Sequence, residues 1–148
     1  MKYFFVIPVL FLFYFDTYCQ VDIQVIKSQS YLKYKAMVNC DSAETTLELR
    51  ICANLAFQRS DSLLGIIYND VLSHFTTPDL KKEKKFLEKS QKRWIEYRDE
   101  YCNLYWKFYE GGSLQPVAYL NCLTDLTDER ITELKKFLKE INVNYEEE

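Results

Sequence analysis

Four cysteines, Cys40, Cys52, Cys102 and Cys122, follow an uncharged N-terminal run, and together these two features constrain the fold more than any others. Lys2 supplies a positive start, and Tyr3 to Phe15 then carries no charge. The run is shorter than the roughly 20 apolar residues that span a bilayer, and Pro8 interrupts it. It reads as the hydrophobic stretch of a signal peptide over residues 1–19, with cleavage after Cys19 and no transmembrane segment left afterwards. A second reading makes Cys19 the lipidated first residue of a lipoprotein, against which stands bulky Tyr18, where a small residue is preferred, and a third keeps the run as an uncleaved anchor or a buried helix. The first two readings predict export, to the periplasm or the medium.

In an oxidising compartment an even number of cysteines in a small chain reads as two disulfides. Four thiolates can also bind zinc tetrahedrally, but no pair here has the close C-x₂₋₄-C spacing, and no metal or cofactor is expected. The 148 residues leave room for one domain after processing. The formal net charge is −3, and loss of Lys2 with Asp16 leaves it unchanged. That balance argues against nucleic-acid binding and against strong membrane adhesion.

Three glycines and three prolines in the whole chain, with much Leu, Lys and Glu, predict helices. Residues 20–39 are an ambiguous lead-in: Val21, Ile23 and Val25 alternate like a strand, while Tyr31 to Lys35 suit a helix. Residues 40–141 form the domain, and residues 142–148 an acidic tail. Thr45 and Glu48 have capping-box spacing and predict a first helix, with Leu49, Cys52, Leu55 or Ala56, Leu63, Ile67, Val71 and Phe75 on one face and a stop near Thr76. Thr77-Pro78-Asp79 restarts the chain, with Thr77 as cap. The second helix places Leu87, Gln91, Trp94, Arg98, Tyr101 or Cys102, and Tyr105 on one side. Its lysines Lys81, Lys82, Lys84, Lys85 and Lys89 read as a solvated face, with attraction of an anionic partner as the alternative. Gly111-Gly112-Ser113 ends it, and a third helix begins near Gln115 or Pro116, with a kink or restart at Thr127–Glu129. The expected fold is all-α: a small disulfide-stapled bundle of about three helices, an antiparallel hairpin plus a third.

The hairpin ranks the cysteine pairings. Cys52 lies 24 residues before Thr76 and Cys102 lies 26 after, so antiparallel helices bring them to a similar level. Cys52–Cys102 with Cys40–Cys122 is therefore the first choice, a long closure giving about 4 kcal/mol in the chain-entropy model. Cys40–Cys52 with Cys102–Cys122 stays open, because Cys40 sits just before the first helix.

Residues able to support catalysis are few. His74 is the one histidine, and paired cysteines cannot serve it as nucleophile. Glu96, Asp99 and Glu100 lie in an ordinary charged stretch. No phosphate loop or nucleophile elbow occurs, so no catalytic residue is assigned. Gln91, Trp94 and Arg98 are more informative: two polar groups flank the largest aromatic on an apolar stripe and need partners. Asp61 is a candidate partner for Gln91 or the Trp94 indole. Tyr97, Tyr101, Tyr105, Trp106, Phe108 and Tyr109 wrap the end of the second helix and cannot all face one core. Tyr105, Trp106, Tyr109 and the Gly111, Gly112, Ser113 loop form the candidate partner-binding site; the competing reading packs these aromatics against residues 20–39.

Several pieces, taken in order, resemble the LprI-like family of small exported domains, named after a lysozyme-inhibitor lipoprotein. They are Cys40, Thr46–Cys52 (T-L-E-L-R-I-C), Asp61-x-x-Leu64-x-x-x-Tyr68 and Gln91-x-x-Trp94-x-x-x-Arg98-Asp99-x-x-Cys102. Gly111-Gly112-Ser113, Cys122-Leu123 and Thr127-x-x-Arg130-x-x-x-Leu134 complete the set. The family pattern places Asn after Leu64, where this chain has Gly65. The resemblance implies a binding protein, not an enzyme, whose protein partner would be a lysozyme. The alternative is a structural or stress-adaptor protein of the envelope that binds another envelope protein. Oligomeric state is left open.

Overall fold

A computed structural model of the chain describes residues 38–146, with side chains as far as residue 142. The expected signal peptide, Cys19, nearly all of the lead-in and the last two residues lie outside the described residues. Three long helices follow one another: α1 (Thr46–Ser73), α2 (Lys81–Phe108) and α3 (Gln115–Glu146). A 3₁₀ turn, Cys40–Ser42, precedes α1, and a second, Pro78–Leu80, precedes α2. No helix among the described residues is long and apolar enough to cross a membrane.

The predicted capping box is present. The Thr45 hydroxyl accepts from the Glu48 backbone N–H at 3.3 Å, and Glu48 accepts in return from the Thr45 N–H at 2.9 Å. The Thr45 backbone bond, then its hydroxyl bond, holds the Glu48 carboxyl below its ordinary pKa. The second restart differs from expectation. Thr77 makes no side-chain cap bond, and Pro78 opens a 3₁₀ turn before α2 begins at Lys81. α3 runs unbroken through Thr127–Glu129. There the Thr127 hydroxyl donates back to the Leu123 carbonyl at 2.6 Å, so its polar group is satisfied inside the helix without a restart. The backbone stays helical to Glu146, beyond the boundary placed at residue 142.

α3 is the central element. It packs along α1 and, less extensively, along α2, while the backbones of α1 and α2 stay apart. Two apolar cores result. One joins Ala53 and Phe57 of α1 to Cys102, Tyr119, Leu120, Cys122 and Leu123. The other joins Leu64, Val71 and Phe75 to Ile131 and Leu134, with Leu87 and Trp94 of α2 against it. The face of α1 is displaced from the one read by period: Leu64 is buried while Leu63 is exposed. Apolar residues surround this helix, so its spacing left more than one face open.

The first-choice disulfide pairing is overturned. The bonds are Cys40–Cys52 and Cys102–Cys122, with Cα separations of 5.5 and 5.6 Å. Two assumptions failed. The hairpin does not pivot at Thr76, since Asp61 meets Arg98 and not residues near Gln91, about two helical turns or 10 Å further along α2. In addition, α3 and not α2 is the main neighbour of α1. Cys40 instead folds back from its 3₁₀ turn onto the second turn of α1. Both closed loops are short, 12 and 20 residues in separation, each giving about 3 kcal/mol in the chain-entropy model.

Two outcomes follow. Cys40 is exposed and Cys52 half-buried, whereas Cys102 and Cys122 are buried. Limited reduction followed by alkylation and peptide mapping should label Cys40 and Cys52 first. Gly65 is exposed in mid-helix, and a Cβ there meets nothing within 4 Å. Gly65→Ala should raise stability by about 1 kcal/mol, read by denaturant unfolding.

Candidate functional site

Between the two cores lies a belt of polar groups built around Arg98. The residue is only 6 % exposed, so its charge must be met inside the protein. Its guanidinium donates to Asp99 at 2.9 Å, to Asp61 of α1 at 3.4 Å and to the Thr127 hydroxyl of α3 at 3.3 Å. One side chain on α2 thereby reaches both other helices. Its carbon centre also lies 5.2 Å from the Trp94 ring centroid and 5.5 Å from that of Phe57.

Arg130 of α3 approaches Trp94 as well, at 5.8 Å. It donates to the Gln91 carboxamide oxygen at 3.2 Å and to the Ser90 hydroxyl at 3.1 Å, and pairs with Glu133 at 2.9 Å. Two guanidinium groups thus contact the Trp94 ring, and Gln91 is buried beneath one of them. Asp61 is not the partner of Gln91 or the indole, as its position suggested; Arg98 takes it. Arg130 falls on the same side of the third helix as Leu123 and Leu134 by spacing, and in the family motif. The signal available was its place on the apolar side of α3, where an arginine needs acceptors. Tyr68 packs against the second core, and burial, then Glu88, raises its phenol pKa.

The end of α2 carries a different surface. Tyr97, Tyr101, Tyr105 and Tyr109 recur every four residues, and all are exposed, at 54 %, 39 %, 39 % and 42 %. Neighbouring rings touch in series, Tyr97 to Tyr101 at 5.8 Å and Tyr101 to Tyr105 at 6.1 Å between centroids. The Tyr105 phenol pKa is raised, first by the charge interaction with Tyr101 and then by its hydrogen bond. Phe108 is 84 % exposed beside it.

Trp106 departs from the expected binding set. It turns into the first core and meets Tyr119 edge-on at 5.7 Å. The core takes Cys102 and Trp106 from α2, which leaves Tyr101 and Tyr105 outside. Of the candidate set Tyr105, Trp106, Tyr109 and Gly111–Ser113, the exposed aromatics are Tyr105 and Tyr109, and Tyr97 and Tyr101 continue their row.

The loop is held at both ends. Gly111 has φ of 75°, a conformation that a side chain would strain, and Gly112 donates to the Tyr109 carbonyl at 2.9 Å. A Cβ at Gly112 would stand 3.1 Å from that carbonyl oxygen. The Gln115 amide then donates to the Trp106 carbonyl at 2.8 Å, tying the start of α3 to the last turn of α2. With Cys102–Cys122 below, a cleft of about 300 Å³ opens among Tyr105, Tyr109, Leu114, Asn121 and Asp125.

The described cysteines are all oxidised, Asp99 is taken by Arg98, and Glu96 and Glu100 are exposed. His74 caps the end of α1. The belt instead makes a stability prediction. Arg98→Met leaves Asp61 and Asp99 partly hydrated, because their side chains are 39 % and 36 % exposed. The cost should be about 2 kcal/mol, below that of a fully buried pair, measured by urea unfolding.

A relative from Rhizobium meliloti (strain 1021), itself an uncharacterized protein, is 30 % identical over 110 residues, covering 68 % of this chain and 79 % of its own. No solved structure matches. Residues 37–134 match the family model described as Lysozyme inhibitor LprI, a span holding both disulfides, Asp61, Trp94, Arg98 and Arg130. The chain belongs to that family.

Proposed function

We propose that this is an exported binding protein that inhibits a lysozyme through the tyrosine ladder and the Gly111–Ser113 loop. The observation that carries the reading is the exposed row Tyr97, Tyr101, Tyr105 and Tyr109, fixed on a disulfide-tethered helix end. Tyrosines on a rigid element lose little side-chain entropy on binding and supply both apolar area and hydroxyl groups. The family's name gives the class of partner.

Charge is consistent with a cationic enzyme. From Trp94 to Glu110 the chain carries Glu96, Asp99, Glu100 and Glu110 against Arg98 and Lys107, and Arg98 is buried. Asp125 borders the cleft beside the loop. An acidic, aromatic end steers and then anchors on a basic surface. Two disulfides fit an oxidising, extracytoplasmic site of action. The same bonds consume the thiols that a cysteine-based enzyme would need, so the reading is of a binder and not a catalyst.

Titration of the oxidised protein into a lysozyme cell-wall lysis assay tests this. Inhibition should saturate near one equivalent, and Tyr101→Ala with Tyr105→Ala should weaken it by about tenfold or more. Both side chains are exposed, so folding is preserved and checked by circular dichroism. Full lysozyme activity at stoichiometric excess of inhibitor would remove that enzyme as the target. Capture of a different envelope protein by the same tyrosines would then support the adaptor reading.

A further inference from the structure

The first half of α2 holds a charged surface that lysozyme binding does not use. Residues 81–93 contain seven Lys and Arg against Glu83 and Glu88, while the following residues to Glu110 have an acidic excess. The net charge of −3 therefore conceals two regions of opposite sign. The overall balance argued against membrane adhesion, but attraction to a surface depends on the charge that faces it, within about a Debye length.

Phe86 stands within this basic region and is 73 % exposed. Lys82, Lys89 and Arg93 lie four before, three after and seven after it, so they share its helical face with one acid, Glu83, three before it, and all four are exposed. From Lys82 to Arg93 the stripe is about 16 Å long. On its other flank Phe86 borders a cleft of about 410 Å³ between α2 and α3, lined by Phe75, Leu87, Leu134 and Phe137 together with the charged Glu83, Arg130 and Glu133. Phe137 is itself 39 % exposed.

A solvated lysine face has no use for a protruding phenylalanine. A soluble polyanion would satisfy the cations and leave Phe86 in water. An anionic bilayer offers phosphate headgroups and, directly beneath them, an apolar phase. We propose that the first half of α2 is a docking surface for an anionic lipid membrane, with Lys82, Lys89 and Arg93 on headgroup phosphates and Phe86 inserted among the acyl chains. The contact is reversible and salt-sensitive, since it rests on one inserted ring and a short cationic stripe.

Vesicle co-sedimentation of the full chain tests the proposal. Phosphatidylcholine vesicles give the baseline, including any contribution from the apolar N-terminal run. Vesicles containing phosphatidylglycerol should bind in excess of it, and high salt should remove the excess. Lys82→Glu with Lys89→Glu and Arg93→Glu should abolish the excess, and Phe86→Ser should lower it by roughly tenfold. Equal binding to both vesicle types, or an excess that survives the triple charge reversal, would overturn it. If Phe86→Ser binds like the parent while dextran sulfate competes fully, the surface is a general polyanion site and the membrane proposal fails. All four side chains are exposed, and unchanged circular dichroism excludes misfolding as the cause of lost binding.

Discussion

The Arg98 guanidinium sets the geometry of the bundle. α1 and α2 do not pack backbone against backbone, so something long must cross between them. Arg98 does so from α2, reaching Asp61 on α1 and Thr127 on α3 while its plane covers Trp94 and Phe57. Apolar packing is only weakly directional and alone would let α1 slide along α3, whereas the Cys102–Cys122 bond already ties α2 to α3. A donor with fixed directions does not tolerate that slide, because a one-turn slip would part the buried guanidinium from Asp61 and Thr127 and leave it only Asp99. The belt thus gives up some apolar contact for a single helix register.

Much of this was legible in the sequence, and the failures have definite causes. The capping box, the three helices and the start of α3 were read from local signals, and local signals decide them. The buried stripe of α2 was also clear, because its polar and apolar residues segregate sharply. α1 was harder: Leu63 and Leu64 are equally apolar, and only packing against α3 selects the second. The partner of Arg98 could not be read because it required the pivot of the first hairpin. The 3₁₀ turn Pro78–Leu80 moves that pivot beyond Thr76.

The same counting rule would have found one disulfide had it been applied to the other hairpin. Cys102 and Cys122 are equidistant from Gly112, and the loop there is short and tied by local hydrogen bonds. The tyrosine ladder was visible as an aromatic excess, but its exposure was not. Trp106, the largest ring, fills the first core, and the smaller rings remain outside. The choice depended on Tyr119 arriving from α3, which no local pattern reports.

The disulfide arrangement bears on how the protein acquires its bonds. Each cysteine of the domain is joined to its neighbour in sequence, Cys40 to Cys52 and then Cys102 to Cys122. In a chain emerging N-terminus first into an oxidising space, Cys52 is the next thiol to appear after Cys40, and Cys122 the next after Cys102. Oxidation in order of emergence gives the native bonds directly, with nothing to reshuffle. The first bond can close before α2 exists, and the second needs only the α2–α3 hairpin. Neither bond therefore requires the contact between α1 and α2 that Arg98 makes.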